Sequence, residues 1–169
     1  MQLRYFNQPH FENGSLKLIS QVLKEQGITK PLICTDPGLV AIGMTDKIRN
    51  LLSNELSPTF YTETPANPTE QAVNDALELY KQNGCDGVVG FGGGSSMDLA
   101  KAVALMANHE GNVVDYSVNE GGTGKIQETV PTVAIPTTSG TGSEVSLGAV
   151  IIMNDGRKLI LASNHLVPN

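Results

Sequence analysis

The chain has 169 residues, 40% of them apolar and 17% charged, with 11 basic against 17 acidic side chains and a net charge of −6. That length is one domain's worth and enough to bury a sizeable core, while the acidic balance excludes a broad phosphate-binding face for nucleic acid. No run of 18 or more apolar residues occurs, which excludes a membrane-spanning helix, and the mean hydropathy of −0.09 fits a soluble globular chain.

The amino-terminal stretch from Met1 to Asn7 has neither the apolar segment nor the small-residue cleavage site of a signal peptide. A cytoplasmic protein is expected, with Cys34 and Cys85 as reduced core residues, not a disulfide frame or a metal knuckle. Glycine is enriched: 18 residues, against roughly 12 at average usage.

In chain order, Leu16, Leu18, Ile19, Val22 and Leu23 recur at helical spacing between Asn13-Gly14-Ser15 and Gly27. Residues 31–36 form a short apolar run closed by a turn signal, Asp36-Pro37-Gly38. The spacing of Ile48, Leu51, Leu52 and Leu56 predicts a helix over Met44 to Glu55, and 57–62 a short strand. Thr69 is placed to cap a helix whose buried stripe is Ala72, Val73, Ala76, Leu77 and Tyr80. Residues 87–91 read as a buried strand, followed by a helix from about Ser96 to Asn108. After a looser stretch from Gly111 to Glu128, in which Gly121-Gly122-Thr123-Gly124 reads as a flexible surface loop, 131–135 is another buried strand. Val145 to Met153 and Leu159 to Ala162, joined by Asn154-Asp155-Gly156, read as a β-hairpin.

Short apolar strands alternating with helices predict an α/β fold, an open and mostly parallel sheet with helices on both faces. No internal repeat or low-complexity tract is visible. The chain stops at Leu166-Val167-Pro168-Asn169, just after a strand signal and with no capping helix, which reads as a cut.

Two glycine-bearing clusters carry the chemistry. In Phe91-Gly92-Gly93-Gly94-Ser95-Ser96-Met97-Asp98-Leu99-Ala100-Lys101, a strand feeds a helix through three glycines, so backbone can approach an anion without Cβ clashes. The helix start then offers free N–H groups and partial positive charge to the same spot. Ser95 or Ser96 is expected to cap, and Asp98 suits a first turn. This is physically a pyrophosphate cradle; the alternative is a tight strand–helix turn with no ligand. The usual dinucleotide fingerprint has its glycines after the first strand and its acidic residue about 20 positions later. Here the glycines come late, and the acidic candidate, Asp36, precedes them. Asp36 ends a strand and is suited to accept bonds from an adenosine ribose, or merely to cap the turn at Pro37-Gly38.

The second cluster, Pro136-Thr137-Thr138-Ser139-Gly140-Thr141-Gly142-Ser143-Glu144, follows a buried strand directly. Its hydroxyls and freed amides can bond a nicotinamide ribose, a carboxamide or a phosphate. Alternatively, Ser143 and Glu144 simply start a helix. Ligands in open α/β sheets bind outside the carboxyl ends of strands, where both clusters are expected.

These segments, with Asn67-Pro68-Thr69, resemble the iron-containing (group III, metal-dependent) alcohol dehydrogenases, within the wider dehydroquinate synthase-like fold. The likeness runs along essentially the whole chain, and the two long motifs are quite specific to the family. It implies a Rossmann-like NAD(P)-binding domain over residues 1–169 and an oxidoreductase passing hydride between NAD(P) and a small alcohol or aldehyde. By resemblance, Asp36 holds the adenosine ribose and Asn67 lies on the adenosine side. Gly92, Gly93, Gly94, Ser95 and Asp98 surround the pyrophosphate. Thr137, Thr138 and Thr141 contact phosphate and nicotinamide ribose, and Lys158 reaches the ribose. An acid at position 36 repels a 2′-phosphate, favouring NAD over NADP.

Family members are roughly twice this length, and their iron or zinc is held by an Asp and three His of a second, all-helical domain beyond the point where this chain stops. His10, His109 and His165 supply no such pattern and are read as surface or packing residues, His109 as a helix C-terminal cap. The resemblance therefore implies cofactor binding without competent catalysis by these residues alone, and, since relatives are often dimers or larger, a homo-oligomer. Two other readings stay open: a non-catalytic nucleotide-binding module or half of a split enzyme, and a glycerol dehydrogenase or dehydroquinate synthase-like relative.

Overall fold

Four of the expected strand segments become strands in the computed structural model, which describes residues 7–169; the reading of residues 1–6 lies outside them. They are β1 (Pro31–Cys34), β2 (Thr59–Tyr61), β3 (Gly87–Gly92) and β4 (Thr132–Pro136). All pair in parallel, in the order β2-β1-β3-β4, with Leu32 opposite both Thr59 and Val88, and Val89 opposite Val133. β1 and β3 are buried along their whole length, as expected of central strands covered on both faces.

The period-2 alternation of these strands sorts the core into two clusters. Leu32, Cys34 and Val88 face the side covered by α4 (Glu70–Gln82) and α5 (Gly94–Ala107). Ile33, Val89, Phe91 and Val133 face the other side, against Ile19 and Leu23 of α1 (Ile19–Glu25) and Ile48 of α3 (Met44–Arg49). Full burial of each such side chain contributes roughly 1.5–3 kcal/mol. The expected α/β fold with helices on both faces is the one observed.

Helix α5 is buried around nearly all of its circumference, because a hairpin covers its outer side. Strands β5 (Gly148–Ile152) and β6 (Lys158–Ala162) pair antiparallel and bury Ala149, Ile151, Leu159 and Leu161 in the α4/α5 cluster. Gly156, at φ +85, closes the turn, as the Asn-Asp-Gly signal predicts. Thr69 caps α4 through its hydroxyl, 3.1 Å from Ala72 N, and Leu77 is only partly buried beside that helix.

Several elements differ from expectation, each for a local reason. Asp36-Pro37-Gly38 opens a short helix, α2 (Pro37–Ala41), instead of a turn, since Asp at the cap and Pro at the first helical position are both good helix starters. Helix α3 ends at Arg49 instead of Glu55. There the Ser20 hydroxyl takes over, donating to Leu51 O at 3.0 Å and accepting from Ser53 N at 2.9 Å, which bends the chain back toward β2. Within the Gly121–Gly124 segment a short 3₁₀ turn, Gly122–Lys125, starts from Gly121, in place of a loose loop. Gly122 is buried there, and a Cβ on it would collide with the backbone of Asp115 and Tyr116. At the chain end, Asn169 N donates to Thr132 O and its side-chain oxygen accepts from Thr132 N, at 2.8 and 3.1 Å.

Candidate functional site

The carboxyl ends of β1, β3 and β4 open onto a cleft of about 460 Å³. Of the residues singled out in the sequence, Asp36, Gly93, Ser95, Thr137 and Thr138 line it directly. A hollow of about 510 Å³ between Ser15 and Leu51 contains none of the motif residues, so chemistry and not size decides between them.

The glycine loop is built by close approach. Gly92 has φ +155, and a Cβ there would collide with Ser96 Oγ and lie 3.2 Å from Asp36 Oδ2. Beyond it the missing side chains of Gly93 and Gly94 leave room facing the hydroxyl-rich loop. A Cβ on Gly93 would sit 3.5 Å from Thr138 Oγ1, and one on Gly94 would sit 3.4 Å from Thr141 Cβ. Thr137 N donates to Gly92 O at 2.9 Å, tying the two loops together.

Helix α5 starts at Gly94, two residues earlier than expected, and neither serine caps it. Gly93 occupies the cap position and no side chain accepts from the first turn. Ser96 is buried, while Ser95 Oγ donates to Ala66 O. The first-turn amides of a 14-residue helix thus face the cleft with their partial positive charge available. Asp36 does cap α2, its Oδ1 accepting from Leu39 N at 3.0 Å, with Oδ2 lying on the Gly92 side.

Other candidates lie farther out. Asn67 is exposed, one residue beyond Ala66. Lys158 is exposed at the start of β6, paired with Ile152, whose N–H points the other way, to Pro68 O at 2.9 Å; β5 therefore lies between Lys158 and the Asn67–Thr69 turn, and Lys158 is outside the cleft lining. Asp98 is also outside the lining, its two oxygens accepting from Ser143 Oγ and, at 3.0 Å, from Val150 N. No helix begins at Ser143 or Glu144.

Two residues had been given no role in the sequence, Thr64 in the cleft lining and Lys101 outside it. Thr64 lines the cleft, is 1% exposed, and its hydroxyl has no partner among the described residues. Its position just past β2 is the available signal, since carboxyl ends of parallel strands carry ligand contacts. Lys101 is 1% exposed; burial pushes its ammonium down to about 8, against the opposing pull of Asp98 and Glu144.

His109 closes the far end of α5. Its Nε2 accepts from Gln127 N at 2.9 Å, so Nδ1 carries the proton and donates to Leu105 O at 2.8 Å, the C-terminal cap expected of it. Among the described residues, no three His, Cys, Asp or Glu side chains gather as a metal site, and no helix is long and apolar enough to cross a membrane.

The model of the family "Iron-containing alcohol dehydrogenase" matches residues 7–169. The chain belongs to the iron-containing alcohol dehydrogenase family. The 4-hydroxybutyrate dehydrogenase of Cupriavidus necator is 45% identical over 165 residues, 97% of this chain and 43% of its own length. A 1,3-propanediol oxidoreductase superposes with a TM-score of 0.90 at 28% identity, over 99% of this chain and 44% of that one. A sulfoacetaldehyde reductase from Bifidobacterium kashiwanohense, solved in complex with NAD+, superposes with a TM-score of 0.85 at 30% identity, over 100% of this chain and 45% of that one. The chain therefore spans less than half the length of these iron-containing alcohol dehydrogenase relatives, which are oxidoreductases.

Proposed function

We propose that residues 1–169 are the cofactor domain of a metal-dependent oxidoreductase that moves hydride between NAD and a small alcohol or aldehyde. The observation that carries this reading is the meeting of two ligand-type loops, Gly93 against Thr138 and Gly94 against Thr141, over the uncapped start of α5. Side chains at either glycine would fill that space, so it suits an anionic group approached by backbone.

The nicotinamide, when bound, supplies the hydride chemistry. This chain's own residues bind and orient. The first-turn amides of α5 and the Gly93–Gly94 backbone receive the pyrophosphate. The free side of the Asp36 carboxylate accepts ribose hydroxyls and repels a 2′-phosphate, which selects NAD over NADP. Asn67 and Lys158, both exposed, serve the ribose ends, and Thr137, Thr138 and Thr141 offer hydroxyls toward the nicotinamide ribose.

The described residues do not fit a metal ion. We assign its ligands to the part of the relatives' length that this chain does not span, and derive no step through it. The 169 residues then bind cofactor without oxidising alcohols.

Titrating the chain with NADH, followed by nicotinamide fluorescence or heat, tests the reading. Saturable binding is expected, weakened about tenfold or more by Asp36→Ala and by Gly94→Val, with NADPH weaker than NADH and no alcohol oxidation. A folded chain that ignores NADH, or that binds it equally well in both variants, overturns it.

A further inference from the structure

Two charged residues of α5 direct all their hydrogen bonds onto the chain that follows β4. Lys101 Nζ donates to Ser146 O at 2.8 Å, Ser146 Oγ at 3.1 Å and Gly148 O at 2.9 Å, using its three protons on three acceptors. One turn earlier, Asp98 takes Ser143 Oγ and Val150 N. Residues three apart lie on one helix face, so a single stripe of α5 grips positions 143, 146, 148 and 150.

The stretch gripped in this way has no helix or strand of its own between Thr137 and Leu147. Its ends are fixed by backbone bonds, Thr137 N to Gly92 O at 2.9 Å and Ser163 N to Leu147 O at 3.0 Å. Between them Gly140 and Gly142 take positive φ, conformations that leave a glycine segment free to shift. What holds the middle is the buried Lys101 and the half-buried Asp98, with one further bond from Asn7 Nδ2 to Glu144 O at 2.8 Å. The same helix carries the glycine loop at its start.

We infer that Asp98 and Lys101 are positioning residues that set the hydroxyl-rich loop at a fixed distance from the glycine loop, and thereby shape the nicotinamide half of the cofactor site while leaving the adenosine half alone. This rests on the cofactor reading above. Removing the Lys101 ammonium takes the donor from Ser146 O, leaves Gly148 O with the Ser146 hydroxyl at 3.2 Å, and leaves Asp98 without a nearby counter-charge. The loop then loses its register against Gly93 and Gly94. Asp36, on α2, is not involved.

The test compares NADH with AMP, and measures amide hydrogen exchange over residues 137–147 with no ligand present. In Lys101→Met, NADH affinity is expected to fall about tenfold or more while AMP changes less than about twofold, and amides of 137–147 exchange faster with β3 unchanged. Affinity also reads the ammonium directly. The charged groups acting on it are Asp98 from α5 and Glu144 from the loop, and the facing β5 residues Gly148 and Val150 carry none. NADH affinity of the unaltered chain therefore declines as pH rises past about 8, and the Lys101→Met profile is flat. A role confined to stability lowers NADH and AMP affinity together, and that result overturns the inference. If Lys101→Met does not fold, Ser143→Ala removes one bond without stranding a charge. It is expected to weaken NADH about threefold with AMP unaffected, and unchanged NADH affinity and loop exchange in that variant overturn the inference. Failure of the unaltered chain to bind NADH counts against the cofactor reading, and loop exchange in the two variants still decides the clamp.

Discussion

The Asp36 carboxylate leans over Gly92, 3.2 Å from where a Cβ on that glycine would stand, so an acid from β1's end and a glycine from β3's end share one wall of the cleft. Only a residue without a side chain leaves both Asp36 and Ser96 in place. Gly92→Ala is expected to cost about 2–4 kcal/mol, from the φ of +155 together with overpacking. Urea midpoints measure it; a loss under about 1 kcal/mol means that the loop relaxes and the packing argument is wrong.

Asp36 has two separable tasks, and Asp36→Asn separates them. Asn caps a helix about as well as Asp, so the bond to Leu39 N persists and stability stays within about 0.5 kcal/mol of the parent chain. The negative charge is lost, so the preference for NADH over NADPH shrinks by about tenfold. Paired titrations with both cofactors check it. An unchanged ratio assigns discrimination to some group other than this carboxylate.

Asp86 ties the start of β3 to the approach of β1. It accepts from Thr29 Oγ1 at 2.6 Å, Thr29 N at 2.9 Å and Lys30 N at 2.8 Å. Partial burial works to raise its pKa, but the bonds from Thr29 and Lys30 win and hold it below the usual carboxylate range. A depressed folded pKa contributes stability that is present above the unfolded value of about 3.9 and is lost as pH falls through the folded one. Asp86→Asn is therefore expected to cost about 1–2 kcal/mol at pH 7. The gap to the parent chain narrows below about pH 4. Denaturant midpoints at pH 7, 5 and 3.5 decide it, and a gap independent of pH refutes the assignment.

Cys34 is fully buried, and Cys85 is nearly so. Burial pushes both thiols up from their ordinary range, with the Cys85 charge adding to the effect on Cys34. Since the thiolate is the reactive form, neither is expected to react with a disulfide reagent over minutes in the folded chain, and both react at once in denaturant. Rapid labelling of one thiol in the native state would show that the edge of the α4/α5 cluster opens locally.

β1, β3 and β4 are legible in the sequence as largely apolar runs bounded by turn residues, and buried parallel strands need nothing else; β2, Thr59–Tyr61, is short and only partly buried. The glycine loop is legible for a similar reason: three glycines between a strand and a helix leave few alternatives. What escapes is long-range. Nothing near Lys101 announces Ser146 and Gly148, and nothing near Asp98 announces Ser143 and Val150. In the motif alone Asp98 reads as a cofactor neighbour, whereas its oxygens face the hairpin. The shortening of α3 is equally distant in origin, since its end is bent by Ser20 of α1. The Asp36-Pro37 start of α2 was legible, but the Gly38 that follows weighs toward a turn when only local preference is counted.

The strand order has a consequence for how this chain reaches its native state. Each parallel ladder joins segments far apart in the chain, Leu32 with Thr59, Leu32 with Val88, and Val88 with Thr132. The β5–β6 hairpin is the sheet pairing that closes locally. It forms without waiting for distant segments, yet its apolar face is covered only once α5 is seated on β3. The rate is then set by closure of the long crossovers and not by the quick local turn. Until they close, Ala149, Ile151, Leu159 and Leu161 remain a sticky strand pair in search of a cover.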